Sequence, residues 1–405
     1  MVSIQSPLKN KHVGIVGFNA RPIACSAKKA GATVYVSDYW GDDDLASCCD
    51  DWIAILTPTP GSRQRQPLDL PLYEGLVENL LHLTRDQEMD YVIVGSGFDD
   101  HSRALQSLAR KNLTGCSPSL MRKARDFKLL TKISKSLEVK IPRRLVTNTP
   151  EDAVEQSAAI KFPCLVRPTH SGGGSGIRLV TCPQDVFRVF GEPEDGEYEQ
   201  RYVQEYISGT DISCSVLAAG NQACTVSVQG QLIGMPSAGR NCDFAYCGNY
   251  YPSGRSAQIT NQISEVSEAI CTKLELKGSV GFDFVIDKLD RLWLMEINPR
   301  IQGTLELLET AGKISLTSLH VLASEGTLPE TIPKFKPGVK MIVYSRKDGV
   351  VPDLSQYPNT VDRTPPGVKV NMRDPICTVI EIGTSMKECY RKVSETTLAI
   401  QRGVA

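Results

Sequence analysis

The sequence predicts a chain of mixed α/β and α+β class, with a Rossmann-like N-terminal domain, a β-rich centre and a small C-terminal α+β module. Three observations predict it. The run His12-Val13-Gly14-Ile15-Val16-Gly17-Phe18, a helical stretch from Ala20 to Ala30, Gly31 and the apolar strand Thr33 to Asp38 form a β-α-β unit closed by an acid. A glycine loop, Ser171-Gly172-Gly173-Gly174-Ser175-Gly176, joins two apolar strands instead of preceding a helix. Finally, residues 281–300 read as a hairpin whose apolar strands carry acids.

The elements follow in order. Gly17 is followed by Phe18-Asn19-Ala20-Arg21-Pro22, so the glycine fingerprint of a dinucleotide fold is broken and NAD binding is not expected. Strand Tyr91 to Val94 ends in Gly95-Ser96-Gly97-Phe98-Asp99-Asp100 and feeds a helix from His101 to Lys111. Gly97, Asp99 and Asp100 thus stand where ligands dock on a parallel sheet, or else form a plain turn into that helix. Ser117-Pro118-Ser119 caps a helical connector, and Thr149-Pro150-Glu151-Asp152 caps a helix reaching Ile160. Strands Cys164 to Arg167 and Gly176 to Val180 flank the glycine loop. Alternating strands run over about 211–236 and again over 281–298, with a helix from Ile263 to Leu274 between them. Val339 to Tyr344, Cys377 to Gly383 and a helix from Ser385 to about Gln401 make the C-terminal module.

Composition excludes whole classes of function. A chain of 405 residues is too long for one compact core. Formal charge is −1, without long runs of one sign, so neither nucleic acid nor an acidic membrane is an expected partner. No apolar run approaches the ~18 residues of a membrane span, and no signal core precedes Lys11, so a cytoplasmic location is expected. The 13 cysteines lack CxxC pairs and suit free thiols in a reducing compartment. With 5 dispersed histidines, a His-based metal site is not expected.

The chemistry concentrates at three places. In the hairpin, Asp283 and Glu296 fall near one another across the ladder, and Asn298 follows Glu296 on the same face. Two carboxylates and an amide oxygen suit a hard divalent cation that shares its shell with phosphates. The glycine loop is suited to folding over a triphosphate with its backbone N–H groups, although such loops also serve as turns. Arg167 at the end of the preceding strand places a permanent charge beside it, and Lys128 on the connector offers a second. Gln204-Glu205-Tyr206-Ile207-Ser208-Gly209-Thr210-Asp211 reads as a hinge or as an ordinary edge strand. As a hinge, its Glu205 carbonyl and Ile207 N–H reach an adenine edge, with Asp211 accepting from ribose hydroxyls.

Taken in order, Lys128, Arg167-Pro168, the loop Ser171 to Gly176, Gln204-Glu205-Tyr206-Ile207, Asp211, Gly281-Phe282-Asp283 and Glu296-Ile297-Asn298-Pro299-Arg300 resemble the ATP-grasp superfamily. The chain is similar to biotin carboxylase, to the carbamoyl-phosphate synthetase large chain and to related ATP-dependent carboligases. The resemblance implies a pre-ATP-grasp domain over residues 1–117 and an ATP-grasp domain over 118–330. The latter divides into a nucleotide-binding lobe (about 118–207) and a metal-binding lobe (about 208–330), and the C-terminal module covers 331–405. It implies ATP and Mg²⁺ (or Mn²⁺) as cofactors. Asp283, Glu296 and Asn298 would hold the metal, Lys128, Arg167 and the glycine loop the phosphates, and Gln204, Glu205, Tyr206, Ile207 and Asp211 the nucleoside. Arg300 would stand beside the transferred phosphoryl group.

The implied activity is a ligase that activates a small-molecule carboxylate as an acyl phosphate for attack by an amine or similar nucleophile, releasing ADP and phosphate. A non-catalytic ATP-binding sensor or assembly subunit is the alternative, and a homodimer is the expectation by analogy. Two departures bear on the substrate. Arg300-Ile301-Gln302 matches biotin carboxylase, but Gly303-Thr304 replaces its Val-Glu, with Glu306 two residues on, and there is no biotinyl segment. Bicarbonate is therefore not the expected carboxylate, and an amine-ligating enzyme is expected. Acceptor specificity is assigned to residues 239–251, where Arg240 would clamp a carboxylate and Tyr246 and Tyr250 would flank an apolar body, unless that loop packs only on its own domain. Gln302 is a further substrate candidate.

Overall fold

The structure, a computed structural model, describes residues 6–170, 172–191, 198–240 and 244–405. Strand His12–Gly17 is the centre of a five-stranded parallel sheet, between Thr33–Asp38 and Tyr91–Val94, with Asp51–Ala54 and Leu113–Thr114 at the edges. Strand order reverses beside His12–Gly17, so the carboxyl ends of His12–Gly17 and Tyr91–Val94 open a crevice, the usual docking place on such sheets. The backbones meet closely there: a Cβ on Gly17 would stand 3.1 Å from the Gly95 Cα. The helix expected from His101 to Lys111 is instead two 3₁₀ turns, Ser102–Gln106 and Leu108–Arg110. Its buried Leu105 and Leu108 are three residues apart, which suits the eclipsed i, i+3 geometry of a 3₁₀ turn.

Next comes a small lobe. Its four-stranded antiparallel sheet orders Arg178–Val180, Cys164–Pro168, Arg201–Glu205 and Arg144–Thr147. Helices Pro150–Ile160 and Pro183–Phe190 cover one face and bury Ala153, Ile160, Val166, Val186, Phe190 and Val203 in a core of their own. Thr149 caps the first of these helices by accepting from Asp152 N at 3.2 Å.

An eight-stranded sheet carries the rest, ordered Leu292–Asn298, Lys277–Asp287, Gly209–Ala219, Ala223–Ile233, Tyr246–Tyr251, Gly338–Tyr344, Pro375–Ile382 and Thr360–Val361. The C-terminal module is therefore not a separate body. Gly338–Tyr344 pairs directly with Tyr246–Tyr251, so the boundary expected at residue 331 falls inside one sheet. Its local strand pattern shows in sequence, whereas its partner strand lies far along the chain. Among the described residues no helix is long and apolar enough to cross a membrane. The thiol expectation is corrected at one place: Cys25, on helix Arg21–Lys29, is joined to Cys48, on turn Ala46–Cys48, by a disulfide.

His320 ties the first domain to this sheet. It is 2% exposed; its Nδ1 accepts from Ser279 N at 2.8 Å, and its Nε2 lies 3.4 Å from the Thr114 carbonyl. Gly115 and Gly278 leave room for the ring, because a Cβ on either would sit 2.7 or 2.6 Å from His320 Cε1. Burial pushes the imidazole down to about 4, so folding favours the neutral ring. This stabilisation is whole above the free-histidine value of about 6.5 and is lost as pH falls towards 4. Its ceiling is about 3 kcal/mol. In His320→Gln, whose amide oxygen can still accept from Ser279, apparent stability is expected to fall less between pH 7 and pH 4 than in the parent. Urea melts across that range measure the difference, and parallel curves would contradict it.

Candidate active site

Asp283 sits opposite Glu296 in the antiparallel ladder, and Gly281 sits opposite Asn298. Opposed residues share a face, so the three polar side chains enter one cleft together. Asn298 Nδ2 donates to Asp283 Oδ2 at 2.9 Å, and Gln231 Nε2 donates to Asp283 Oδ1 at 2.9 Å. Gly281 makes room for Gln302, since a Cβ there would meet Gln302 Cγ at 2.4 Å. The Gln302 amide turns back to the Arg300 carbonyl at the edge of the cleft.

The two acids are driven apart electrostatically. Burial, and then the neighbouring Glu296, push the Asp283 carboxyl up to about 7. Burial also opposes charge on Glu296, but Arg125, Arg167 and Arg300 outweigh it and hold Glu296 below the usual range. The Glu296 side chain keeps 31% exposure, so a cation has an approach to it. A divalent ion shared between them would remove the repulsion that raises Asp283. Among the described residues no group of three or more His, Cys, Asp or Glu side chains forms a metal cage. Two carboxylates and an amide instead leave positions for water and phosphate, which fits Mg²⁺ or Mn²⁺.

Three arginines face these acids, and sequence reasoning found two of them. Arg167, on Cys164–Pro168, lines the cleft with its Nε buried and without a hydrogen-bond partner. Arg300 Nε donates to Asp99 Oδ2 at 2.8 Å, and its Nη2 lies 3.4 Å from Asn298 Oδ1. The third is Arg125: its Nε and Nη2 grip Asp100 at 2.9 and 2.8 Å, and its Nη1 contacts Glu296. Lys128 is corrected: it is exposed and does not line the cleft. Asp126 is the reason, because it breaks the helix (ψ 102°) and caps the next one, accepting from Lys128 N and Leu129 N at 2.9 and 3.1 Å. The break turns Arg125 inward and leaves Lys128 on the outer first turn. An arginine immediately before an Asp N-cap was the available signal.

The glycine loop crosses from the small lobe to the large one. Gly173, Gly174 and Gly176 have φ of 59°, 78° and 73°, which other residues adopt only with strain. Gly173 O accepts from Tyr246 N at 3.0 Å, and a Cβ on Gly174 would stand 1.8 Å from the Phe244 carbonyl oxygen. Gly172 and Ser175 also line the cleft, while Ser171, with Asn241, Cys242 and Asp243 of the acceptor loop, lies outside the described residues. On the hinge, Gln204, Tyr206, Ile207 and Asp211 line the cleft beside apolar Leu165, Leu179, Ile233 and Met295. Glu205 turns its side chain to Arg143 N, 3.1 Å away, so only its backbone is available to a base. Burial pushes Asp211 up to about 6.

Two of the acceptor residues are placed elsewhere. Tyr246 faces the cleft, with its hydroxyl on Asn249 and burial raising its pKa, but Tyr250 packs on Gly230 and the C-terminal core. A four-residue spacing would put both rings on one face. The bulge at Leu232/Ile233 inserts a residue and reverses the parity, so Tyr246 is joined by Asn249. Arg240 also leaves the cleft wall: its Nη1 donates to the Arg373 carbonyl at 3.3 Å, and its guanidinium lies 5.1 Å from the centre of the Tyr344 ring. Asp38, the acid that closes the β-α-β unit, is 1% exposed and accepts from Ala20 N, Trp40 N and Gly41 N at 2.7, 2.7 and 3.0 Å, so its oxygens are engaged by backbone N–H groups of its own domain.

Two β-rich lobes closing over an acid hairpin define an ATP-grasp architecture. Residues 124–304 match the family model of the ATP-grasp domain. An uncharacterized protein of Methanocaldococcus jannaschii is 25% identical over 385 residues, 94% of this chain and 91% of that one. The carbamoyl phosphate synthase large chain of Vibrio cholerae is 24% identical over 329 residues, which cover 78% of this chain and 29% of the relative. Among solved structures, the biotin carboxylase domain of Hydrogenobacter thermophilus 2-oxoglutarate carboxylase, with MgADP and bicarbonate, superposes with TM-score 0.72 at 14% identity, over 95% of this chain and 90% of that one. The N5-carboxyaminoimidazole synthetase of Staphylococcus aureus, complexed with ADP, gives 0.70 at 16%, over 97% and 99%. These superpositions establish a common fold.

Proposed function

We propose that the protein is an ATP- and Mg²⁺-dependent ligase that joins a small carboxylate to an amine through an acyl phosphate. One observation carries this reading: Asp283, Glu296 and Asn298 face Arg167, Arg300 and the glycine loop across a single cleft of about 1190 Å³. Phosphoryl transfer needs alignment and charge neutralisation more than a protein nucleophile. Mg²⁺ held by Asp283, Glu296 and Asn298 would supply the neutralisation at the terminal phosphates. Arg167 has a spare buried donor for phosphate oxygen. Arg300, fixed by Asp99, would meet the transferred phosphoryl group. The amine would then displace phosphate from the acyl carbon, closing the amide. Bicarbonate finds less support: Thr304 is bonded to Ser215 at 3.2 Å, and Glu306 is paired with Arg21 and Lys340 at 2.6 and 3.4 Å.

Incubation with Mg-ATP and a mixed metabolite extract tests the reading. ADP and phosphate should appear together with a new mass equal to an acid plus an amine less one water. Absence of Mg-ATP binding would remove the proposal. The glycine loop gives a second test. Gly174→Ala cannot keep its approach to Phe244, so nucleotide affinity is expected to fall about tenfold, ~1.4 kcal/mol. Gly172→Ala, with nothing within 4 Å of its Cβ, should stay near the parent. Equal affinities for the two variants would refute the loop's role.

A further inference from the structure

Where the first-domain crevice meets the cleft, the character of the wall changes. Phe18, Tyr39 and Trp40 cluster there, with Phe18 stacked on Tyr39 at 4.1 Å and Trp40 edge-on to each at 5.6 and 5.0 Å. Beside them stands Asp42, 9% exposed and lining the cleft, whose carboxylate has no hydrogen bond or ion pair among the described residues. Asp362 lines the same wall.

The cations near this wall are already engaged. Arg21 is buried among Asp362, Glu306 and Asp44 at 2.7, 2.6 and 3.3 Å, Lys340 turns to Glu306, and Arg63 bonds Thr364 at 2.9 Å and lies over Trp40. An uncompensated buried carboxylate is costly and is normally paired. Burial, then Asp362, Asp38 and Asp44, raise its pKa well above the usual range and outweigh the opposing pull of Arg21; Asp42 in turn acts electrostatically on Arg63. The cleft is thus polarised, with arginines around the acid hairpin and carboxylates with aromatic rings at the first-domain end.

We propose that the first-domain end of the cleft is the acceptor subsite and takes a small primary amine as its cation, with the ammonium on Asp42 and an apolar or aromatic body against Phe18, Tyr39 and Trp40. This assignment rests on the ligase reading and names its nucleophile by chemistry. Aromatic faces and a carboxylate together attract organic cations, and a bound ammonium would draw the Asp42 carboxyl back to its ionised form, whereas an anionic acceptor would push it further towards the neutral acid and gain no partner there. Neither Asp42 nor the aromatic wall was singled out from sequence, because Tyr39-Trp40-Gly41-Asp42 reads as a loop after a strand and gains meaning only opposite Asp362.

Calorimetric titration of the full chain, saturated with Mg²⁺ and a non-hydrolysable ATP analogue, tests the subsite. The probes are 2-phenylethylamine and 1,4-diaminobutane, with 2-phenylethanol, phenylacetate and succinate as neutral and anionic counterparts. The amines are expected to bind at least tenfold tighter than their counterparts. Asp42→Asn should abolish that margin while nucleotide affinity stays within twofold, and Trp40→Ala should weaken 2-phenylethylamine more than 1,4-diaminobutane. Amines that bind no better than alcohols or acids, or an undiminished margin in Asp42→Asn, overturn the subsite even if nucleotide binds. Loss of nucleotide binding in the parent overturns the ligase reading instead, and it is read from the nucleotide titration alone.

Discussion

Replacement of Glu296 by glutamine is expected to lower ATP turnover by roughly 10³-fold, about 4 kcal/mol of transition-state stabilisation. Asp283 is pushed up to about 7, so near neutrality it carries only part of a charge before a cation arrives. Glu296 is held ionised by Arg125 and Arg167 against its burial, and it supplies most of the negative charge that draws Mg²⁺ into the site. Glutamine keeps the shape and an oxygen but loses that charge. A hard cation discriminates strongly on ligand charge. The effect should therefore appear as a lost response to Mg²⁺, read as ADP release across a magnesium titration. The same logic sets a pH dependence. Mg²⁺ must displace the Asp283 proton, so the magnesium requirement should rise as pH falls through 7 in the parent and flatten in Asp283→Asn. A Glu296→Gln protein with parental magnesium response would remove the metal assignment.

What could be read from sequence was what short-range geometry dictates. Asp283, Glu296 and Asn298 are placed by a tight hairpin and a two-residue period, and the glycine loop by the strands at its ends. The β-α-β unit is equally local. Features that depend on one irregular residue were misread: the helix break at Asp126 exchanges Arg125 for Lys128, and the bulge at Leu232/Ile233 separates Tyr250 from Tyr246. Features that depend on distant pairing were invisible. Arg125 finds Asp100, Arg300 finds Asp99, and Arg21 finds Asp362, separations of 25, 201 and 341 residues. No periodicity encodes such partners, because they are set by how three sheets pack.

Arg125 is where this long-range wiring has its largest expected cost. In Arg125→Met, apparent stability should fall by about 3 kcal/mol when magnesium is chelated, near the low end for breaking a buried pair because the groups are not fully sealed. Arg125 is 18% exposed, with Asp100 at 17% and Glu296 at 31%. Methionine covers much of the apolar stem but leaves both carboxylates without their guanidinium. Glu296 then loses its largest source of stabilisation, and its carboxyl should rise towards that of Asp283. Magnesium provides the diagnostic, since a divalent ion on the hairpin would replace the missing positive charge at Glu296 although not at Asp100. Urea melts with excess Mg²⁺ and with chelator should therefore show a larger magnesium gain in the variant than in the parent. If Arg125 serves only to pack the helix, the gain will be the same in both proteins, and its assignment as the cation facing the metal site is wrong.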